Sequence, residues 1–178
     1  MDNYREEIVV KKNRTFNNIL YALLMVIMVI SLFFVALAFS MVGVSGNFVY
    51  PLIILAINGG IAVLIWIKKD TLRTEYEYTF TNGDLDFAKV LGNSRRKNLG
   101  TMQVKNVEAC GYVNTQSFQR YITMPGLKKI NWFLNRGSDL FYFFYQKEGQ
   151  KTMIVIEPSE ELVEMIKLYL PRGVYQSK

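Results

Sequence analysis

Histidine and cysteine, which serve many acid–base, nucleophilic and metal sites, are almost absent from this sequence. Its 178 residues contain no histidine and one cysteine, Cys110. Without histidine, a Ser-His-Asp or Cys-His arrangement, a His-ligated metal site and the HExxH motif are excluded. Cys110 has no second thiolate for a metal cluster or an internal disulfide, which suits a reducing compartment. We interpret it as a small core residue.

Two carboxylates, Asp84 and Asp86, lie close together in sequence, across a turn and beside Gly83. A solvated hairpin turn explains them better than a general acid–base pair, because such a pair needs a pocket and a perturbing neighbour. The sequence has no Walker-type loop, dinucleotide-binding glycine pattern or calcium-loop spacing. We therefore predict no enzymatic activity and no cofactor or metal.

Basic residues are the strongest functional signal. From Lys89 to Arg136 the chain has nine lysines and arginines against one acid, Glu108. Each such cation near an anionic leaflet contributes about 1 kcal/mol to membrane attraction. Arg95, Arg96 and Lys97 occupy a predicted loop between strands, and are candidate contacts for anionic lipid or a protein partner. The alternative is a loop that is merely solvated.

A second candidate contact comprises Lys128, Lys129 and Trp132, within the segment 125–136. Basic and apolar residues alternate there as in a short interfacial helix. The alternative is a loop whose apolar residues pack on the domain. Nucleic acid is a disfavoured partner, because no recognised binding module is visible.

The elements that would position these residues begin with a membrane anchor. Between Arg14 and Lys68, 53 consecutive residues carry no charged side chain. Residues 19–42 and 48–67 are each long enough to cross a bilayer as a helix. Gly43, Ser45, Gly46 and Asn47 provide the predicted turn between them.

Flanking charges predict the orientation of this helical hairpin. Basic residues precede the first helix and follow the second, so both termini are expected to be cytoplasmic and the protein to be an integral, multi-pass plasma-membrane protein. A cleaved signal peptide ending near Ala36-Leu37-Ala38 is the alternative, but the apolar run continues past that site. The predicted organisation is a leader over 1–18, the hairpin over 19–67, a linker over 68–73 and a cytoplasmic domain over 74–178.

Small and polar residues lie at depth in the second helix, namely Ala56, Asn58, Gly59 and Gly60. Such residues permit close helix approach and interhelical hydrogen bonds. They are candidates for packing within the hairpin or for a homo-oligomeric contact in which Asn58 donates across the interface.

The domain after residue 74 is predicted to be mainly β. Tyr76, Tyr78 and Phe80 alternate with polar residues before the hairpin signal Asn82-Gly83. A second hairpin is predicted around residues 147–150, with both faces of its strands buried. A C-terminal amphipathic helix is expected over 159–170. About seven short antiparallel strands and this helix would form a small barrel or sandwich.

This order of elements resembles the bacterial pleckstrin-homology-like (PH-like) domains, several of which follow a pair of transmembrane helices. The stretches EYEYTFTNGDLDFAKVLGNSRRKNL and IVIEPSEELVEMIKLYLP also resemble a bacterial family of small two-helix membrane proteins. The shared motifs are turn and core residues, so the resemblance implies a fold and no reaction. PH-like folds often bind anionic headgroups through inter-strand loops, which is the role the resemblance implies for Arg95 to Lys97.

Together these observations predict a membrane-anchored, non-enzymatic binding or scaffold protein. Its PH-like domain would contact a protein partner, anionic lipid headgroups or both. The seven residues 68–74 reach roughly 25 Å when extended, which would keep the domain near the bilayer. The alternative is a structural subunit of a larger membrane complex assembled through its transmembrane helices.

Overall fold

The structure is a computed structural model that describes residues 3–42 and 48–176. These residues form two compact units, one made of residues 13–74 and 91–94 and the other of the remaining residues. The first unit contains two apolar helices, and the second is rich in β structure. The predicted turn over residues 43–47 lies outside the described residues.

Helices α1 (Thr15–Val42) and α2 (Val49–Lys68) are both long and apolar enough to cross a membrane. Helix α1 begins four residues before the predicted start, where the Asn13 side-chain oxygen accepts a hydrogen bond from the Thr15 amide at 3.3 Å. Between the helices, Met28 packs with Ala62 and Ile65. A 3₁₀ helix over Lys69–Arg73 follows α2 directly.

The first sheet has the order β1-β2-β3-β4, with bounds β1 (Tyr4–Val9), β2 (Thr74–Thr81), β3 (Asp84–Leu91) and β4 (Arg95–Gln103). The hairpin predicted at Asn82-Gly83 is confirmed, and both turn residues have positive φ, as a two-residue hairpin turn requires. Strand β1 lies in the segment interpreted from sequence only as a leader. It pairs antiparallel with β2, so the helices are inserted between two neighbouring strands.

The second sheet has the order β6-β8-β7-β5-β9. Its strands are β5 (Ala109–Tyr112), β6 (Lys128–Trp132), β7 (Phe141–Lys147), β8 (Gln150–Ile156) and β9 (Tyr175–Gln176). The predicted β7–β8 hairpin is confirmed, with positive φ at Glu148 and Gly149. Strands β6 and β8 run parallel, as do β5 and β9.

Two helices complete the β domain: α3 (Gln116–Ile122) and α4 (Glu160–Lys167), with a 3₁₀ turn over Val104–Asn106. The Ser159 hydroxyl caps α4 by accepting a hydrogen bond from the Leu162 amide at 3.2 Å. Helix α4 ends at Lys167, three residues before the predicted end. Its residues Leu162, Val163 and Ile166 are buried, while Glu160, Glu161 and Glu164 are exposed.

The β domain has two apolar clusters, one on each face of the second sheet. The larger contains Tyr78 and Phe87 of the first sheet, Phe143 and Ile156 of the second, and Leu162 of α4. The smaller forms where α3 covers the other face of β7 and β8, and includes Phe118, Tyr142, Phe144, Met153 and Val155. These strands are therefore buried on both faces, which explains why their sequences are apolar runs without alternation.

One prediction about the β domain was wrong, and one open alternative is resolved. About seven antiparallel strands were expected, whereas the described residues contain nine strands in two sheets, with two parallel pairs. For residues 114–136 the sequence left a strand, a loop and an interfacial helix open, and the structure has helix α3 and strand β6 there. Lateral pairing with β8, which is distant in sequence, overrides the weak local pattern of this segment.

Gly111 leaves no room for a side chain beside strand β9. A Cβ atom there would lie 2.6 Å from the Gln176 carbonyl oxygen. We therefore expect Gly111→Ala to push β9 away and expose Cys110, whose amide donates to the Val174 carbonyl oxygen at 3.1 Å. Burial raises the pKa of the Cys110 thiol to about 12, so the wild-type thiol should react slowly.

Maleimide labelling of the folded protein measures this effect. Labelling should be roughly tenfold faster in Gly111→Ala, as expected when local opening becomes easier by about 1.4 kcal/mol. Gly137→Ala is the matched control, because a Cβ atom at Gly137 would meet nothing within 4 Å. Equal labelling rates in both variants would contradict the proposed clash.

Candidate interaction surfaces

The basic residues Arg95, Arg96 and Lys97 open strand β4, at one edge of the first sheet. They follow the tight turn over residues 91–94 rather than lying in an extended loop. All three side chains are exposed. The Nε atom of Arg96 lies 2.7 Å from the Glu77 carboxylate on β2. The structure therefore presents these cations along a strand edge.

An open cleft of about 440 Å³ adjoins this edge. It is lined by Thr79, Asp86, Phe87, Ala88, Arg96 and Asn98. Asp86 accepts a hydrogen bond from the Thr101 hydroxyl across the β3–β4 pair. This contact gives Asp86 a structural role between β3 and β4.

Lys128 and Lys129 are exposed at the start of β6, an edge strand of the second sheet. They therefore lie on a different sheet from the basic edge of β4. Trp132 belongs to neither patch, because its ring packs 4.6 Å from the Phe87 ring, measured between centroids. Its carbonyl oxygen also accepts a hydrogen bond from the Tyr78 hydroxyl. Trp132 is thus a partly buried packing residue, which differs from its predicted role as a surface contact.

The four candidate packing residues of α2 divide between its two faces. Asn58 and Gly59 are partly buried, and the Asn58 side-chain amide donates to the Ile54 carbonyl oxygen of its own helix at 3.1 Å. Ala56 and Gly60 are exposed. At about 100° per residue, Gly60 lies opposite the face formed by Pro51, Ala62 and Ile65. Ala56 and Gly60 therefore share the exposed side of α2, whereas Asn58 lies on its partly buried side.

A polar network around Glu7 of β1 was missed from the sequence. The Glu7 carboxylate accepts hydrogen bonds from the Ser159 amide, at 2.9 Å, and from the Ser159 hydroxyl. The Arg5 guanidinium lies 2.7 Å from Glu7 and 3.3 Å from Glu161. The first strand therefore holds the capping residue of α4. The alternation of Tyr4, Glu6 and Ile8 with Arg5, Glu7 and Val9 was the only local signal for this strand.

Within residues 3–42 and 48–176, no group of three His, Cys, Asp or Glu side chains could hold a metal ion. Burial strongly raises the pKa of Tyr78 and keeps its hydroxyl neutral. That hydroxyl accepts from the Glu157 amide at 3.3 Å while donating to Trp132, so its hydrogen bonds connect the two sheets. The Tyr78 hydroxyl therefore helps to hold the two sheets together.

The two sheets and the capped C-terminal helix define a PH-like domain. The two apolar helices form a hairpin that fits a membrane anchor. The chain belongs to the family described as a bacterial PH-like domain (DUF6106), whose model matches residues 1–176. This confirms the resemblance drawn from the sequence. No match was found among curated proteins or among solved structures. PH-like domains are generally non-catalytic, and the family suggests a binding or scaffold role.

Proposed function

We propose that this protein is a plasma-membrane scaffold whose cytoplasmic PH-like domain binds an acidic protein partner along the basic edge of β4. The observation that carries the proposal is the exposure of Arg95, Arg96 and Lys97 on an edge strand. Edge strands present backbone donors and acceptors to a partner, and charged side chains on these strands select the sign of the partner's charge.

Membrane placement rests on the two apolar helices and on the cations that flank them. The basic residues Lys11, Lys12 and Arg14 precede α1, and Lys68, Lys69 and Arg73 follow α2. Their distribution favours cytoplasmic termini. A domain anchored in this way needs little intrinsic affinity for the membrane, because its local concentration there is already high. Its own surface is therefore available for protein recognition.

Site-specific photo-crosslinking of the full-length protein in its native membranes tests the proposal. A photoreactive residue at Lys97 should give a discrete protein adduct, whereas one at Lys128 on β6 should give little or none. Charge reversal at a neighbouring position, Arg95→Glu, should reduce the Lys97 adduct severalfold. Arg96 is left unchanged because it pairs with Glu77. Lipid adducts alone at Lys97, or identical adducts at both sites, would contradict a protein partner on β4.

A structural subunit assembled through its helices is the second candidate function. Gly60 favours it, because a Cβ atom added there meets nothing within 4 Å and the residue faces away from α1. Gly60→Leu should then lower the yield of crosslinked complexes in membranes, while Ile61→Leu leaves it unchanged. No loss in Gly60→Leu would remove this alternative.

A further inference from the structure

Two cations at the end of the helical hairpin are held against aromatic rings. The Lys69 ammonium lies 4.7 Å from the centroid of the Trp66 ring, and the Arg73 guanidinium lies 4.0 Å from that of Tyr21. We call Tyr21, Trp66, Lys69, Asp70 and Arg73 the collar. Both aromatic residues come from the two apolar helices, and both cations come from the 3₁₀ helix that follows α2.

The collar is fixed in position by hydrogen bonds. The Asn17 side-chain amide of α1 donates to the Leu72 carbonyl oxygen at 2.8 Å. The Arg73 carbonyl oxygen accepts from the Gly92 amide at 3.0 Å. Lys69 pairs with Asp70 at 3.1 Å, and both of these side chains are about 15% exposed. The 3₁₀ helix is thus tied to α1 and to the turn over residues 91–94, so its cations are preorganised.

We propose that the collar binds the phosphate of an anionic phospholipid. The inference rests on the proposed function, since it requires the hairpin to span a bilayer. Tyrosine and tryptophan favour the headgroup boundary, which places the collar cations at the depth of lipid phosphates. A guanidinium stacked on a ring keeps its N–H groups available at its edge for phosphate oxygens.

Charge balance favours an anionic over a zwitterionic lipid. Residues 13–74 contain four cations, Arg14, Lys68, Lys69 and Arg73, and one acid, Asp70, which gives a net charge of +3. A zwitterionic lipid carries its own ammonium group, so this net positive charge attracts it less strongly. An excess of basic side chains near an anionic surface is worth about 1 kcal/mol each. Arg73 is the key residue, because Asp70 already offsets Lys69.

Fluorescence quenching by brominated lipids tests this site in the full-length protein. The chain has two tryptophans, so Trp132→Phe leaves Trp66 in the collar as the reporter. In liposomes of mixed composition, brominated phosphatidylglycerol should quench Trp66 with about fivefold higher relative association than brominated phosphatidylcholine, the ratio equivalent to about 1 kcal/mol. In the protein that retains Trp132, we expect this residue to add the same background with both lipids, so the difference in quenching between the lipids can still be measured.

Arg73→Gln should lower the association ratio severalfold, because it keeps N–H donors but removes the charge. Lys105→Gln is the matched control, as an exposed cation in the β domain, and should leave the ratio unchanged. Raising the salt concentration should lower the ratio in the unsubstituted protein, which gives a test independent of any variant. A ratio near one at low salt, or an unchanged ratio in Arg73→Gln, would overturn the collar site.

Two further outcomes separate this inference from the proposed function. Equal quenching by both lipids would retain the membrane anchor and reject the collar site. No quenching by either lipid would reject the anchor and the collar together. If inorganic phosphate at matched ionic strength abolishes the preference, the site takes a soluble anion and the lipid assignment is wrong.

Discussion

Removal of strand β1 is expected to unfold the PH-like domain, even though most of that domain follows the helices in sequence. Tyr4 to Val9 pair with six residues of β2, and Val9 is buried in the main cluster. The edge of β2 would lose this partner. Loss of Glu7 would also leave the Ser159 amide, at the cap of α4, without its acceptor.

Contacts beyond the strand pairing add to this cost. The Asn135 side chain donates to the Val10 carbonyl oxygen at 2.9 Å and accepts from the Lys12 amide at 2.8 Å. At about 0.5–1.5 kcal/mol for each hydrogen bond, the four side-chain bonds of Glu7 and Asn135 alone should contribute about 2–6 kcal/mol. That is a large fraction of the roughly 5–15 kcal/mol by which a domain is stable.

Urea unfolding of two soluble fragments measures the effect. Residues 74–178 alone should lack a cooperative transition or show a much lower midpoint. Residues 1–12 joined by a short Gly/Ser linker to residues 74–178 should unfold cooperatively, because Val9 and Tyr76 lie opposite each other on adjacent strands. The matched control is the linked fragment carrying Val9→Glu, which should lose much of the gain. Equal midpoints for the two parent fragments would show that β1 is dispensable.

Local signals explain the parts of the fold that the sequence predicted. Asn82-Gly83 and residues 147–150 specify turns through a few adjacent residues, and both hairpins form. The charge-free run likewise predicted two helices from composition alone. In each case the information lies within a short window of sequence.

Strand β1 was missed because its partner is distant in the chain. Tyr4 pairs with Thr81, across the whole helical hairpin. Tyr4, Glu6 and Ile8 are exposed on this edge strand, and Val9 is the residue of the strand that is buried. Such a pattern does not distinguish a strand from a charged leader. The short strand β9 has the same difficulty, since its parallel pairing with β5 depends on contacts far away in sequence.

For the candidate surfaces, the sequence predicted only which residues are exposed. The sequence correctly marked Arg95 to Lys97 and Lys128 to Lys129 as solvent-facing, because a run of charges rarely enters a core. It did not show that Arg96 pairs with Glu77, or that the Trp132 ring lies against Phe87. Both contacts depend on the register between strands, which composition does not encode.

Trp132→Ala is expected to lower the free energy of unfolding of the β domain by about 3 kcal/mol, as for the loss of a packed aromatic ring. The ring packs on Phe87, which in turn lies 6.1 Å from the Tyr78 ring between centroids, so its removal opens a gap in the main cluster. Lys128→Ala and Lys129→Ala should change stability by less than about 0.5 kcal/mol, because both side chains are exposed.

Urea unfolding of the linked β domain, followed by circular dichroism, distinguishes the two classes of substitution. If Trp132 packs as described, Trp132→Phe should recover part of the lost stability, because a smaller ring still contacts Phe87. If Trp132→Ala instead leaves the unfolding midpoint unchanged, the indole contributes little to the core and its interpretation as a surface contact regains support. The comparison with Lys128→Ala therefore decides whether a loss of binding in Trp132→Ala reports on recognition or on folding.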